Sequence, residues 1–283
     1  MRISPKLVSS IITHAWYIRP GSLIEGILLE YCGAKGAGSL EIREEALPAI
    51  EARPERDVNG DALPRAKLTQ SGVAIVPIVG PMMKGATGSD KYRASLCSPE
   101  DIASDVMAAM DARAKGIAFP VNSPGGTAVG CHELASLIAE VSKQVPTLMY
   151  TEDQCCSAAE YVTSACSVRV STPSAVLGSI GTMCGVLDVS RLLDRFGVSF
   201  DIYRSGRYKG MGHPAKPLSS DQAEFVQRWV NARAAEFKAQ MVNYRGLDEE
   251  HMQGQIFVGS EAAKIGLTDF TVSSLREAIA FLE

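Results

Sequence analysis

The chain has 283 residues, enough for one large domain or two small ones, and its 46% hydrophobic and 21% charged residues argue against overall disorder. Lys and Arg number 28 against 32 Asp and Glu, so the net charge of −4 gives no general drive towards nucleic acid or an anionic membrane. The seven cysteines are an odd number, Cys155 and Cys156 are adjacent, and no CxxC spacing occurs. Neither a disulfide framework nor a metal site is indicated, and a reducing compartment is expected.

Residues 1–32 form a first segment. Ile3, Leu7, Val8, Ile11, Ile12 and Trp16 recur at helical spacing, which predicts a short amphipathic helix packed on its own protein or a neighbour. Membrane contact or export is the weaker alternative, because Ser9, Ser10, Thr13 and His14 interrupt the apolar run and no A-x-A cleavage site follows. Residues 33–70, rich in glycine, proline and charge, read as a linker or irregular arm. A domain is expected over 71–272, followed by a C-terminal helix over 273–283.

Within that domain VAIVPIV (73–79) predicts a buried strand. The following helix has Ser98 as N-cap, Pro99 at its first position, and Ile102, Val106 and Met110 on its apolar face. GIAFPVNSPGG predicts a strand and turn, although Pro120 belongs at an edge or bulge. A helix over 128–142, a strand at 147–151, a short helix in SAAEYVTSA and a strand at 168–172 come next. Further strands are expected at 182–189 and 199–206. Ser219 and Gln222 form a capping box for a long helix that ends at Tyr244, with Gly246 just beyond. Phe225, Val226, Trp229, Val230, Phe237 and Met241 give it a broad apolar face. QIFVG and EAAKIGL close the domain as strand and helix. Alternating strands and helices imply an α/β fold with its site at strand ends.

No G-x-S-x-G, Walker A, H-E-x-x-H or G-x-G-x-x-G motif is present, and His14, His132, His213 and His251 sit in unlike contexts. Three polar turns after strands stand out instead. In NSPGG (122–126), Gly125 and Gly126 leave backbone N–H groups unshielded, as in an oxyanion hole, or form a plain connection. In CCSAAEY (155–161), Ser157 stands at a helix start, as a nucleophile or only as a cap. YRSGRYKGMGHP (203–214) carries Lys209 among glycines. It is a solvated loop or, if the lysine is desolvated, it holds a base able to deprotonate a serine without histidine.

In order and approximate spacing, SPGG, the serine after CC, GSIG (178–181) and YRSGRYK together resemble the Ser/Lys proteases of the signal peptide peptidase A (SppA) family. CSAAEYVTSACSVRV is more similar to the phage head-maturation proteases of the lambda capsid protein C type, since the membrane peptidases usually have Gly-Gly where Ala158 and Ala159 stand. The resemblance implies a ClpP/crotonase-like spiral of ββα units, with no cofactor. It implies Ser157 as nucleophile, Lys209 as general base, Ser179 orienting the lysine, and Gly126 with Gly125 as the oxyanion turn. Protein or peptide substrates, a homo-oligomer, and phage portal, scaffold or capsid partners follow from it, in the host cytoplasm or procapsid rather than outside the cell. Because the chain ends at Glu283 without a long C-terminal scaffold region, an internal scaffold role is not expected of it alone. Other readings are a bacterial signal-peptide-peptidase-like protease, a crotonase-like acyl-CoA enzyme that would need neither Ser157 nor Lys209, and a catalytically silent assembly protein.

Overall fold

Short apolar runs broken by polar turns fold here into strand pairs, most of them followed by a helix. A computed structural model describes residues 16–18, 66–86 and 96–282. The strands are β1 (Trp16–Ile18), β2 (Lys67–Leu68), β3 (Val73–Ile75), β4 (Ile78–Val79), β5 (Gly116–Asn122), β6 (Gly125–Thr127), β7 (Thr147–Thr151), β8 (Gln154–Cys156), β9 (Val168–Ser171), β10 (Val176–Gly178), β11 (Ile256–Val258) and β12 (Phe270–Thr271). The helices are α1 (Pro99–Asp111), α2 (Cys131–Ser142), α3 (Ala158–Thr163), α4 (Ser190–Arg195), α5 (Ser220–Arg245), α6 (Gly259–Ala262) and α7 (Leu275–Ile279). The chain order β3-β4-α1, β5-β6-α2, β7-β8-α3 is the repeating ββα pattern expected of the fold.

The first strand of each unit joins one sheet of order β12-β9-β7-β5-β3-β2, parallel except for β2 against β3. The second strands branch from it. β8 pairs in parallel with β10, and β11 runs antiparallel on the far side of β10. The main sheet is buried on both faces, which is why its strands are continuous apolar runs. Ile117, Phe119 and Met149 face the larger core with Ile102, Val106, Leu134, Ile138 and Phe237. Ala118, Leu148, Tyr150 and Val170 face a smaller one closed by Ala278 and Leu282.

The capping signals act where expected. Ser98 accepts the Glu100 N–H, and at α5 Ser219 and Gln222 complete both halves of the capping box. Gly246 ends α5 at φ 61°, in the left-handed region where glycine has no Cβ penalty.

Several expectations need correction. Pro120 lies inside the central sheet, not at an edge. The Ile117 N–H donates to Pro146, whereas Ala118 and Asn122 accept on the opposite side, from Val76 and Gly80. The nitrogen of Pro120 therefore faces the interruption between β3 and β4, where no ladder donor is needed. Residues 182–189 and 199–206 form no strand: the first is half-buried with a single β-bridge residue at Met183, the second is largely exposed, and neither belongs to a sheet among the described residues. On α5 only Gln222, Phe237 and Met241 are buried; in the N-terminal half of its apolar face Val226, Trp229 and Val230 are half-buried and Phe225 is exposed against Tyr208. The helix expected near the N-terminus lies outside the described residues apart from Trp16, which begins β1 instead. Among the described residues, six cysteines are free thiols and no helix is long and apolar enough to cross a membrane.

Candidate active site

Two backbone connections bring the NSPGG turn and the CCS turn together. The Ser123 N–H donates to Gln154 O at 2.9 Å, and the Cys156 N–H donates to Ser123 O at 3.0 Å. The parallel register of β8 and β10 pairs Cys156 with Gly178, so Ser157 and Ser179 follow at the same end of adjacent strands.

Ser157 is fully buried and has φ 55°, ψ −114°. A non-glycine residue in this region costs of order 1–3 kcal/mol and persists only where its surroundings enforce it. The enforcing contacts are visible: its N–H donates to Gly178 O at 2.8 Å and its carbonyl accepts from Tyr161 at 2.9 Å. It makes no side-chain cap for α3, and its buried Oγ has no hydrogen-bond partner. The cap reading therefore fails. What remains is a strained serine with a free hydroxyl, the arrangement a nucleophile requires.

The glycine turn is built with equal constraint. Gly125 has φ 103°, and a Cβ on Gly126 would stand 2.0 Å from Met82 O. Met82 holds one edge of β6, donating to Gly125 O at 2.8 Å and accepting from Thr127 N–H at 2.9 Å. Strand alternation then turns the Gly126 N–H to the other edge, away from Met82. It lies on the edge along which β1 pairs, and it is the N–H of this turn that could meet a developing oxyanion once that edge is open.

A buried ion pair supports the serine from behind, and the sequence reading missed it. Gly178, which accepts from Ser157, donates its own N–H to Glu160 Oε1 at 3.2 Å. Glu160 Oε2 accepts from Arg169, which also donates to Thr163 Oγ1 at 2.9 Å and Leu267 O at 3.1 Å. Both side chains are completely buried. Burial raises the Glu160 carboxyl above its ordinary value despite the adjacent guanidinium, while Glu160 helps keep Arg169 protonated. An arginine flanked by Val168 and Val170 in an apolar strand, with a glutamate three residues after the candidate serine, was the signal available.

Ser179 lies at φ 54°, is nearly buried, and donates its N–H to Gln255 O at 2.7 Å. Lys209 is different. It is exposed, in a run of turns tied to α5 by Gln222, which donates to Arg207 O at 2.8 Å. Within one chain the structure does not join it to the unpartnered Ser157 hydroxyl. Among the described residues no histidine bonds that hydroxyl either: His132 contacts Tyr161 and Glu236, and His213 stacks on Phe200. The segment leading to Lys209 exposes Leu192, Phe196, Val198, Phe200 and Tyr203, with Phe196 at 75% and Tyr203 at 95%, and α4 buries nothing.

Several known proteins are similar to this chain in sequence. The capsid assembly protease C of Escherichia phage lambda is 29% identical, over 86% of this chain and 57% of its own length. The head-tail preconnector protein GP5 of Enterobacteria phage P21 is 26% identical, over 84% of this chain and 49% of its own. The chain thus spans about half the length of the curated relatives it matches. A ClpP1 variant from Listeria monocytogenes superposes with a TM-score of 0.47 at 12% identity, over 71% of this chain and 92% of that one. The profile of peptidase family S49 matches residues 139–283, taking in Ser157, Glu160, Arg169, Ser179 and Lys209. The chain belongs to peptidase family S49.

Proposed function

We propose that the chain is a serine endopeptidase with a Ser157/Lys209 dyad, acting on proteins of a phage head during its maturation, with residues 71–272 as the protease domain. The observation that carries this is Ser157, strained, buried and without a hydroxyl partner, beside a glycine strand whose Gly126 N–H faces away from Met82. In this reaction the neutral Lys209 amine takes the Ser157 proton as Oγ attacks the scissile carbonyl. The oxyanion accepts from Gly126 N–H, and the lysine ammonium returns its proton to the leaving amine. Water then attacks the acyl-enzyme, again deprotonated by Lys209, and Ser157 is released. Ser179 orients the lysine.

The exposure of Lys209, and of the apolar residues leading to it, favours a dyad completed between subunits. Uncovered side chains such as Phe196 and Tyr203 are what a second copy would bury, and desolvation of Lys209 would come with that burial. The head-protein assignment rests on the names of the two phage relatives, with portal, scaffold or capsid proteins as substrates in the host cytoplasm or procapsid. Co-expression with candidate head proteins, read by intact mass, tests it. New termini should appear with the native chain and vanish with Ser157→Ala. Equal cleavage by both would remove Ser157 from the mechanism.

A further inference from the structure

The edge of β6 that carries the Gly126 N–H is covered in this structure by the chain itself. β1 runs antiparallel along it in the register Trp16 to Thr127, Tyr17 to Gly126 and Ile18 to Gly125. The opposite edge of β6 is fully used by Met82. β1 also approaches α3, the helix that begins directly after Ser157. A three-residue strand is therefore laid over the donor that the proposed reaction needs, on the side from which a scissile carbonyl would have to approach.

We propose that residues 16–18 form an autoinhibitory strand that competes with an extended protein substrate for the β6 edge; this rests on the peptidase reading above. Backbone pairing is indifferent to side chains, so the same Gly125–Thr127 ladder serves either occupant. β1 is joined to β2 by a long connection, from Ile18 to Lys67. Because β1 belongs to the same chain as β6, its pairing is intramolecular and does not depend on protein concentration. A protein substrate displaces it by making more backbone bonds than three residues can offer. The segment thus slows cleavage of short or scarce peptides while leaving the saturated rate untouched.

The test uses the full chain. Tyr17→Pro removes the N–H opposite Gly126 and disfavours the ladder at that register. Amide exchange at Gly126 should accelerate while Thr127, held by Met82 O on the other edge, stays protected, and KM for a short peptide should fall about fivefold, the equivalent of ~1 kcal/mol for one backbone bond, with kcat unchanged. As a second variant, Trp16→Cys with Thr127→Cys joins Cα partners of an antiparallel pair, which lie within disulfide reach. The oxidised form should be inactive and reduction should restore cleavage. Unchanged exchange in Tyr17→Pro, or full activity of the oxidised double-cysteine chain, overturns the inhibitory role. Faster exchange with an unchanged KM, in a chain whose Ser157-dependent cleavage is intact, overturns it as well and leaves the peptidase reading standing. Faster exchange in a chain with no Ser157-dependent cleavage at all overturns the peptidase reading, and the inhibition with it.

Discussion

Replacing Gly126 by alanine is the most demanding substitution for this site. The added Cβ would stand 2.0 Å from Met82 O, 2.6 Å from Met82 N and 2.7 Å from Met82 C. All three are backbone atoms, so no side chain can swing aside. To reach even 3.0 Å, β6 must move by at least about 1 Å relative to Met82. That movement strains the two bonds that hold it, Met82 N–H to Gly125 O and Thr127 N–H to Met82 O. Overpacking of this kind costs about 1–3 kcal/mol, and each weakened bond about 0.5–1.5 kcal/mol more. The catalytic effect is separate and larger. A donor displaced by 1 Å misses the oxyanion, and loss of one such donor lowers kcat by about 10²–10³. The assay is denaturant unfolding together with kcat and KM on one protein substrate. Gly185→Ala is the control, because nothing lies within 4 Å of its added Cβ. A Gly126→Ala chain with native stability and native kcat would refute both the packing and the oxyanion assignment.

Three further outcomes follow from the same contacts. Lys209→Arg should be as inactive as Lys209→Ala, since arginine keeps its charge but does not give up a proton at usable pH; a near-native rate would confine Lys209 to substrate binding. Arg169→Ala should destabilise the fold by about 3–5 kcal/mol by leaving Glu160 buried and unpaired, whereas Arg169→Met with Glu160→Leu should recover much of that, both read from urea midpoints. Burial raises the thiols of Cys131, Cys155 and Cys166, the last to about 12, so the unfolded chain ionises first as pH rises. Their stabilising contribution is intact below the ordinary thiol value near 8.5 and is lost above it at about 1.4 kcal/mol per pH unit for each thiol. Cleavage should therefore collapse at the alkaline pH where the fold fails; urea midpoints that stay level from pH 8 to 10 would contradict the thiol contribution.

Caps and buried strands were legible in the sequence because their signals are local. Ser98, Ser219 with Gln222, and Gly246 each act within one turn of chain, and the apolar runs at 73–79, 116–122 and 147–151 report burial on both faces. The strands expected at 182–189 and 199–206 failed because alternation describes a face without supplying a neighbour for it to pair with. Pro120 looked anomalous for the converse reason: the break between β3 and β4 that accommodates it lies some 40 residues upstream. At the site, the expected Ser157 and the Gly125–Gly126 turn come together through Ser123 and Cys156. The Glu160–Arg169 pair was hidden because Glu160 stands in the CCSAAEY turn and Arg169 in a strand, and only the folded chain brings the two together. Lys209 could be found from its glycine setting, but it is exposed among the described residues, and its surroundings there give no sign of the role expected of it.

The subunit-shared dyad is tested most directly by mixing two inactive chains. Ser157→Ala and Lys209→Ala are purified separately, then combined under conditions that let subunits exchange, and cleavage is followed across mixing ratios. Interfaces that pair an intact Ser157 with an intact Lys209 should restore part of the native rate, greatest near equal proportions. A mixture that stays inactive at every ratio, although exchange is demonstrated by mass, would contradict a dyad shared between subunits.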